Sequence, residues 1–206
     1  MKFRSYAAAL AAATFWTAIP VSHVAHAQAL GPQRQFIAIE PVYSRLSRDF
    51  GSGLDKKSLN GYGGRLWINL APFSGPSSNL IGKTALALFS VYSPPGDGVS
   101  VVHYGAELDV HATNVPYGLI LDPFVSLGGG VLRTRTTTGN AVGAMPGTVN
   151  KFAFTPGVGL RIPLLNHVQG RADFRDALVF GDQDGTSGNT RTSNNLEFLA
   201  SVGLTF

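Results

Sequence analysis

The sequence predicts an all-β fold, an eight-stranded antiparallel up-and-down transmembrane β-barrel. Three observations predict it: a secretory signal at the N-terminus, alternating apolar and polar residues along the rest of the chain, and a last strand that ends on an aromatic residue. After the signal there is no apolar run of the ~20 residues that a spanning helix needs. Strands of ~10 residues in a closed barrel can still cross a membrane, because their backbone groups pair with one another.

The N-terminus has the three parts of a secretory signal peptide. Lys2 and Arg4 precede an apolar run at 7–21, and the small residues Ala25 and Ala27 form a cleavage site. A transmembrane anchor is disfavoured because this run is rich in alanine and shorter than a spanning helix. We therefore expect residues 1–27 to be a cleaved signal peptide and residues 28–206 to form one barrel domain.

Composition excludes several classes of function. The 206-residue chain has no cysteine, so disulfides, thiolate metal sites and cysteine nucleophiles are excluded. Without Lys2 and Arg4, 14 of the 16 basic residues remain against 12 acidic ones, so the exported chain is nearly neutral. No basic run with interleaved aromatic residues is present, and we predict no nucleic-acid partner.

The predicted strands follow from alternation and from the breakers between them. The fifth strand starts between residues 119 and 122 and ends at about 133, and the other seven lie at 35–44, 60–71, 80–92, 100–111, 151–162, 168–180 and 195–206. In strand one Ile39 and Glu40 lie on opposite faces, and in strand two Leu66 lies opposite Arg65. Strand three is apolar on both faces, so its sides stay unassigned, although Lys83 is expected to point away from lipid.

Strands four and five have an apolar and a polar or glycine-rich face. In strand four, Val102, Tyr104, Ala106, Leu108 and Val110 alternate with His103, Gly105, Glu107, Asp109 and His111. Strand five contains Gly128, Gly129 and Gly130. This run lacks the Lys-Ser/Thr of a phosphate-binding loop and has no helix after it. Glycine within a strand instead indicates sharp curvature or a close backbone approach.

The last three strands carry most of the charge. Strand six places Phe154 outward and Arg161 inward. Strand seven has one polar face, formed by Gln169, Arg171, Asp173 and Arg175. Asp176 falls on its apolar face, for which a bulge or a position near the membrane boundary would account. Strand eight has an apolar face of Leu196, Phe198, Ala200, Val202, Leu204 and Phe206.

Connections of alternating length assign the two ends of the barrel. The stretches 45–59, 93–99, 134–150 and 181–194 are predicted as outer loops, whereas the turns before strands three, five and seven are short. Both chain ends then lie in the periplasm. Aromatic residues near strand ends predict an interfacial girdle of Tyr43, Tyr62, Tyr92, Tyr104, Phe152 and Phe180.

The signal peptide, the alternating strands and the terminal Phe206 together resemble the small eight-stranded bacterial outer-membrane β-barrels, such as the OmpA-type transmembrane domain and OmpX. The resemblance implies a location in the outer membrane of a Gram-negative bacterium, with outer-membrane lipid around the barrel. It also implies that Phe206 is an assembly signal read by the barrel assembly machinery.

Assigning the apolar faces to lipid places ten charged residues in or near the lumen: Glu40, Arg65, Lys83, Glu107, Asp109, Arg161, Arg171, Asp173, Arg175 and Glu197. Five are basic and five acidic. Because eight strands leave an interior just wide enough for side chains to fill, we predict a compensated charge network in a plugged lumen.

We predict no catalytic residue, metal or cofactor. His103, Glu107 and His111 share a strand face, but the set spreads over about 26 Å, too far for one site. The segment from His111 resembles the His-x-Ser-Asn signature of outer-membrane lipid A deacylases, although Thr113 replaces the serine and the segment lies beside a predicted periplasmic turn.

The predicted function is envelope structure, surface interaction or adhesion, with the outer loops as the contact surface for an extracellular ligand. Two alternatives stay open. The barrel could form a narrow channel or a conduit for small hydrophobic solutes. A secreted soluble barrel that binds a lipophile would reverse the faces, with the apolar side chains inside.

Overall fold

In a computed structural model, the chain folds as a closed antiparallel barrel of eight strands in sequence order. The structure describes residues 37–48, 57–70, 84–96, 98–112, 121–136, 147–165, 167–183 and 190–206. The strands are β1 (Ile37–Arg48), β2 (Lys57–Asn69), β3 (Thr84–Gly96), β4 (Val99–His111), β5 (Asp122–Thr136), β6 (Gly147–Leu165), β7 (Val168–Gln183) and β8 (Thr190–Thr205). The predicted fold class is confirmed. The described residues include no helix that is both long and apolar enough to cross a membrane.

The barrel closes between its first and last strands. β1 pairs with β8, and the Phe206 N–H donates to the Ile37 carbonyl at 2.9 Å. Since this seam leaves no open sheet edge, all strands can pair their backbone groups without help from solvent. The predicted signal peptide at residues 1–27 lies outside the described residues.

Side chains alternate between the lumen and the exterior along every strand. β1 shows the pattern most plainly, with Ala38, Glu40 and Val42 buried and Ile37 and Ile39 exposed. The exterior is apolar: Leu66, Leu108, Leu127, Val158, Phe174 and Leu204 are among its exposed side chains. The faces of β3, which periodicity left unassigned, are also defined. Its inward residues are Ala85, Ala87, Phe89 and Val91, and Lys83 lies outside the described residues.

The strands run further toward the loops than predicted. Four residues of the predicted first loop, Arg45 to Arg48, belong to β1, and the predicted third loop at 134–150 loses 134–136 to β5 and 147–150 to β6. The last predicted loop likewise loses 181–183 to β7 and 190–194 to β8. These predictions were wrong because the strands continue as paired ribbons beyond the stretch whose outer face is apolar.

Asp176 faces outward, as its position in the sequence predicted, and is half-buried. The β7–β8 register passes regularly through it, with Asp176 opposite Leu196 between the pairs of Arg175 and Ala177. The nearest irregularity in that ladder lies between Val179 and Asp182. A bulge therefore does not account for the position of this carboxylate.

Candidate functional site: the charged barrel interior

The two ends of the barrel are named by the parts of the chain found there. We call the end where β1 joins β2, and β7 joins β8, the loop end, and the end where β1 begins and β8 finishes the terminal end. Between them, charged side chains from β1, β2 and β4–β8 fill the middle of the lumen, and almost all are buried. The candidate site is this interior charge network.

Glu107 on β4 is the centre of the network. Its carboxylate lies 3.1 Å from the Arg65 Nε, 3.1 Å from an Arg171 nitrogen and 3.0 Å from an Arg175 nitrogen. Arg65 belongs to β2 and the other two arginines to β7. β7 is separated from β4 by two strands, and β2 by one. Glu107 therefore ties together side chains from across the lumen.

Each of two arginines also binds further carboxylates. Arg65 lies 3.2 Å from Glu40 and 2.5 Å from Asp173, and Arg171 lies 2.6 Å from Asp109 and 2.8 Å from Asp173. Because Asp173 accepts from both guanidinium groups, the arginines are held at fixed separation. Buried charges are tolerable when they are paired and hydrogen-bonded in this way.

Glu40 connects the network to the closing seam. Its Oε1 accepts from Gln169 Nε2 at 2.7 Å, and its Oε2 accepts from the Ser201 hydroxyl at 3.2 Å and from Arg65. These partners lie on β7, β8 and β2, so one carboxylate of β1 contacts three other strands. Such a contact set is available only in one strand register.

Aromatic rings cover three of the guanidinium groups. The Arg175 Cζ lies 4.0 Å from the centre of the Phe89 ring, and the Arg171 Cζ lies 4.3 Å from that of Phe124. Arg161 lies 4.8 Å from the centre of the Trp67 ring. Cations above ring faces gain electrostatic stabilisation in desolvated surroundings. Alternation along the strands does not reveal these roles of Phe89 and Phe124.

Two histidines each share a carboxylate with an arginine. His103 Nδ1 lies 3.0 Å from Glu197, whose carboxylate also accepts from Arg175 Nε at 2.8 Å. His111 Nδ1 lies 2.9 Å from Asp122, which accepts from Arg161 at 2.7 Å. Asp122 was missed from sequence because it stands at the start of its strand, where alternation is short.

Nine of the ten charged residues assigned to the lumen from sequence lie buried inside the barrel, and Lys83 lies outside the described residues. Eight of the nine join through Glu107, Asp173 and Glu197, whereas Arg161 lies apart with Asp122 and His111. His103 and His111 contact different carboxylates and do not form one site with Glu107. The described residues hold no group of three or more potential metal ligands.

Apolar side chains fill the lumen on both sides of the charges. Toward the loop end lies a buried cluster of Leu46, Leu59, Val101, Leu132, Ala153, Ala177 and Val179. Toward the terminal end, Trp67 packs with Ala38, Ala85 and Ala87. The interior is thus packed by side chains in three successive layers: the middle one holds the main charge network, and the terminal one also holds the ion-paired group of Arg161, Asp122 and His111 beside Trp67.

A row of tyrosines marks the exterior near the loop end. Tyr43 pairs with Tyr62 and Tyr62 with Tyr92 in the strand register, and all three are exposed. The Tyr43 and Tyr62 ring centres are 6.1 Å apart. Further round the barrel, Val131 is flanked by Tyr104 and Phe152. Aromatic rows at this position are typical of the interface between lipid and water.

The fold and its filled interior define a class: this is a β-barrel of the small eight-stranded outer-membrane type. Three solved structures share the fold. Neisserial surface protein A is 13% identical with a TM-score of 0.52, and the match covers 83% of this chain and 96% of that protein. The N-terminal β-barrel domain of Pseudomonas aeruginosa OprF is 17% identical with a TM-score of 0.52, covering 84% and 98%. The outer membrane protein OprG from Pseudomonas aeruginosa is 10% identical with a TM-score of 0.52, covering 84% and 96%.

No protein-family model and no curated protein sequence matches the chain. Because these three solved structures are only 10–17% identical to this chain, the similarity to them establishes the fold alone. It confirms, in fold, the resemblance drawn from the alternating strands and the terminal Phe206.

Proposed function

We propose that the protein is an integral outer-membrane β-barrel of a Gram-negative bacterium with a closed lumen, which acts in envelope structure or surface interaction and not as an enzyme or an open pore. The apolar exterior bounded by an aromatic row supports a position in a lipid bilayer. The loop end then faces the cell exterior, where the outer loops would contact an extracellular ligand.

The observation that carries a closed lumen is the set of ion pairs that crosses it. Arg65 reaches from β2 to Asp173 on β7, and Arg171 reaches from β7 to Glu107 and Asp109 on β4. Opening a continuous water path through the middle layer requires several of these pairs to separate at once. Breaking one buried pair costs roughly 3–5 kcal/mol, so the fully open state is rare.

Reconstituted protein is expected to give no large steady conductance in planar lipid bilayers. The measurement is single-channel current at fixed voltage, after heat-modifiable migration on gels has shown that the sample is folded. A triple variant that empties the middle layer, Glu107→Ala with Arg65→Ala and Arg171→Ala, serves as the positive control if it folds. Steady current through the unaltered protein at the level of an open porin would disprove the closed lumen and support the channel alternative.

Phe206 is proposed to act in assembly. Its side chain is 67% exposed on the outer surface, while its backbone pairs with Ile37 across the closing seam. Deleting Phe206 is expected to lower the folded fraction in the outer membrane several-fold, because both the aromatic end and the seam hydrogen bonds are lost. Heat-modifiable protein in membrane fractions measures this.

The variant Phe206→Ala separates the two contributions, since it keeps the backbone hydrogen bonds to Ile37. A low folded fraction in cells with normal refolding in detergent would assign the effect to recognition by the assembly machinery. Normal membrane levels of the deletion variant would contradict a role for this residue.

A further inference from the structure

We propose that Arg133 and Arg135 on the exterior of β5 form a binding site for the phosphate groups of the glycolipid in the surrounding outer leaflet. The inference rests on the proposed outer-membrane location. It adds a specific lipid contact that neither the fold nor the closed lumen requires.

The two arginines lie side by side on one exposed face. Both side chains point outward and are exposed, and residues two apart on a strand are separated by about 7 Å. Arg133 is flanked in the register by Val102 and Asn150, and Arg135 by Ser100 and Thr148. Three of the four flanking residues, Asn150, Ser100 and Thr148, are polar, and together with two guanidinium groups they match the hydrogen-bond acceptors of a phosphorylated sugar.

On the described parts of β4, β5 and β6, no carboxylate lies on the same surface as these cations. Within the described parts of β4, β5 and β6, the outward residues at the loop end are Ser100, Val102, Tyr104, Val131, Thr148, Asn150 and Phe152 besides the arginines. This patch therefore carries net positive charge, whereas Arg161, Arg171 and Arg175 in the lumen are each paired with carboxylates. An anionic partner from outside the chain fits the exterior pair.

The depth of the pair selects a lipid as the partner. The row formed by Tyr104, Val131 and Phe152 lies just below it on the same three strands. With strands tilted by about 40°, Arg133 stands about 5 Å and Arg135 about 10 Å above that row along the membrane normal. The head-group layer is about 5–8 Å thick, so the backbone of Arg133 lies within it and that of Arg135 about 2 Å beyond it, from where a long arginine side chain can still reach the phosphates.

A soluble polyanion, such as a sulfated polysaccharide, would be expected to bind basic residues on the outer loops, further from the membrane. The pair instead lies where the phosphates of a lipid head group are already concentrated. Since the lipid is present at high local concentration, even moderate affinity gives a permanently occupied site.

The test uses the full folded barrel in micelles that contain equal amounts of diphosphoryl lipid A and a phosphate-free analogue of it. Native mass spectrometry counts the lipid that stays bound. The unaltered protein is expected to retain the phosphorylated lipid preferentially, and the double variant R133Q/R135Q is expected to lose that preference about tenfold or more, as for the loss of charge-assisted hydrogen bonds.

The matched control is Arg45→Gln. Arg45 is an exposed arginine on the exterior of β1, two residues beyond Tyr43 toward the loop end, and its register partners are Asn60 and Phe198. It lacks a second arginine beside it and should keep most of the lipid preference. A preference that is equal in the unaltered protein and in R133Q/R135Q overturns the inference, as does retention on heparin without any preference between the two lipids.

Failure of this inference can be told apart from failure of the proposed function. A barrel that inserts into bilayers and migrates as folded protein, yet binds both lipids equally, retains the proposed location and loses the lipid site. If the chain instead stays in solution without detergent, both the proposed location and the lipid site are disproved.

Discussion

Replacing Gly63 by alanine is expected to prevent most of the protein from assembling into a barrel. Gly63 points into the lumen from β2, and a Cβ atom there would lie 2.0 Å from the Ser90 carbonyl oxygen and 2.7 Å from the Val91 Cα. Both atoms are backbone atoms of β3, which cannot rotate away as a side chain could. The β2–β3 ladder would have to separate, leaving backbone groups unpaired in lipid. The folded fraction after refolding in detergent, read from heat-modifiable migration, measures the effect.

The neighbouring residue supplies the control for this experiment. Gly64 faces outward, and the nearest atom to an added Cβ there would be the Glu40 carbonyl oxygen at 3.9 Å, an ordinary contact. Gly64→Ala should refold about as well as the unaltered protein. If Gly63→Ala refolds equally well, the close approach of β2 and β3 does not limit assembly.

The same close approach explains the glycine run of β5. Gly105 on β4 lies directly opposite Gly130, and a Cβ on either would come within 2.4 Å or 2.3 Å of a carbonyl oxygen of the facing strand. Gly128 leaves room for the Thr155 hydroxyl, which an added Cβ would approach to 2.3 Å. Of the two interpretations of these glycines, sharp curvature or close contact, the geometry agrees with close contact.

The strand count was predictable because alternation in the membrane has a simple physical cause. An outward side chain meets lipid and an inward one meets polar partners, so Tyr104 and Leu108 alternate with His103 and Glu107 on β4. The rule fails in β3 because the lumen there is lined by Ala85, Ala87, Phe89 and Val91. Apolar residues inside and outside give no alternation to detect.

The strand ends were mispredicted because, beyond the aromatic row, the outward residues are polar and the inward residues are apolar. In β1, Leu46 is buried in the lumen cluster while Arg45 faces outward, and in β5 Leu132 is buried while Arg133 faces outward. An exterior in contact with water favours polar residues, and the interior remains packed and apolar. Sequences of this kind look like polar loops when only an apolar outer face is sought.

The alternation of each strand predicted which charged residues lie in the lumen, but it did not predict which of them pair with one another. Asp173 meets Arg65 across the barrel because β2 and β7 are brought together by the strand stagger and by the reach of long side chains. Neither the strand stagger nor the direction in which a long side chain reaches can be read from the spacing of residues in the sequence. Phe89 and Phe124 were missed for a related reason, since the role of each is defined only by the arginine that lies beside it.

Glu107→Gln is expected to destabilise the barrel by about 3–5 kcal/mol, the usual effect of removing one partner from a buried ion pair. Three arginines lie within 3.1 Å of this carboxylate, so the variant leaves more positive charge than the remaining carboxylates can compensate. The amide keeps the shape of the side chain, so packing is largely retained and the effect reports the lost charge. The measurement is the free energy of unfolding in urea with the protein in lipid vesicles.

Glu40→Gln provides the comparison, because Glu40 is also fully buried but contacts only one arginine, with Gln169 and Ser201 as neutral donors. The amide keeps one oxygen that can accept from Ser201, and its NH2 group can donate to the Gln169 side chain when that amide turns its oxygen inward, so a smaller loss of about 1–3 kcal/mol is expected. Equal stability of the Glu107→Gln variant and the unaltered protein would show that the arginines are satisfied without it. In that case the network would be a set of independent pairs, and the closed lumen would depend on the side-chain layers at its two ends.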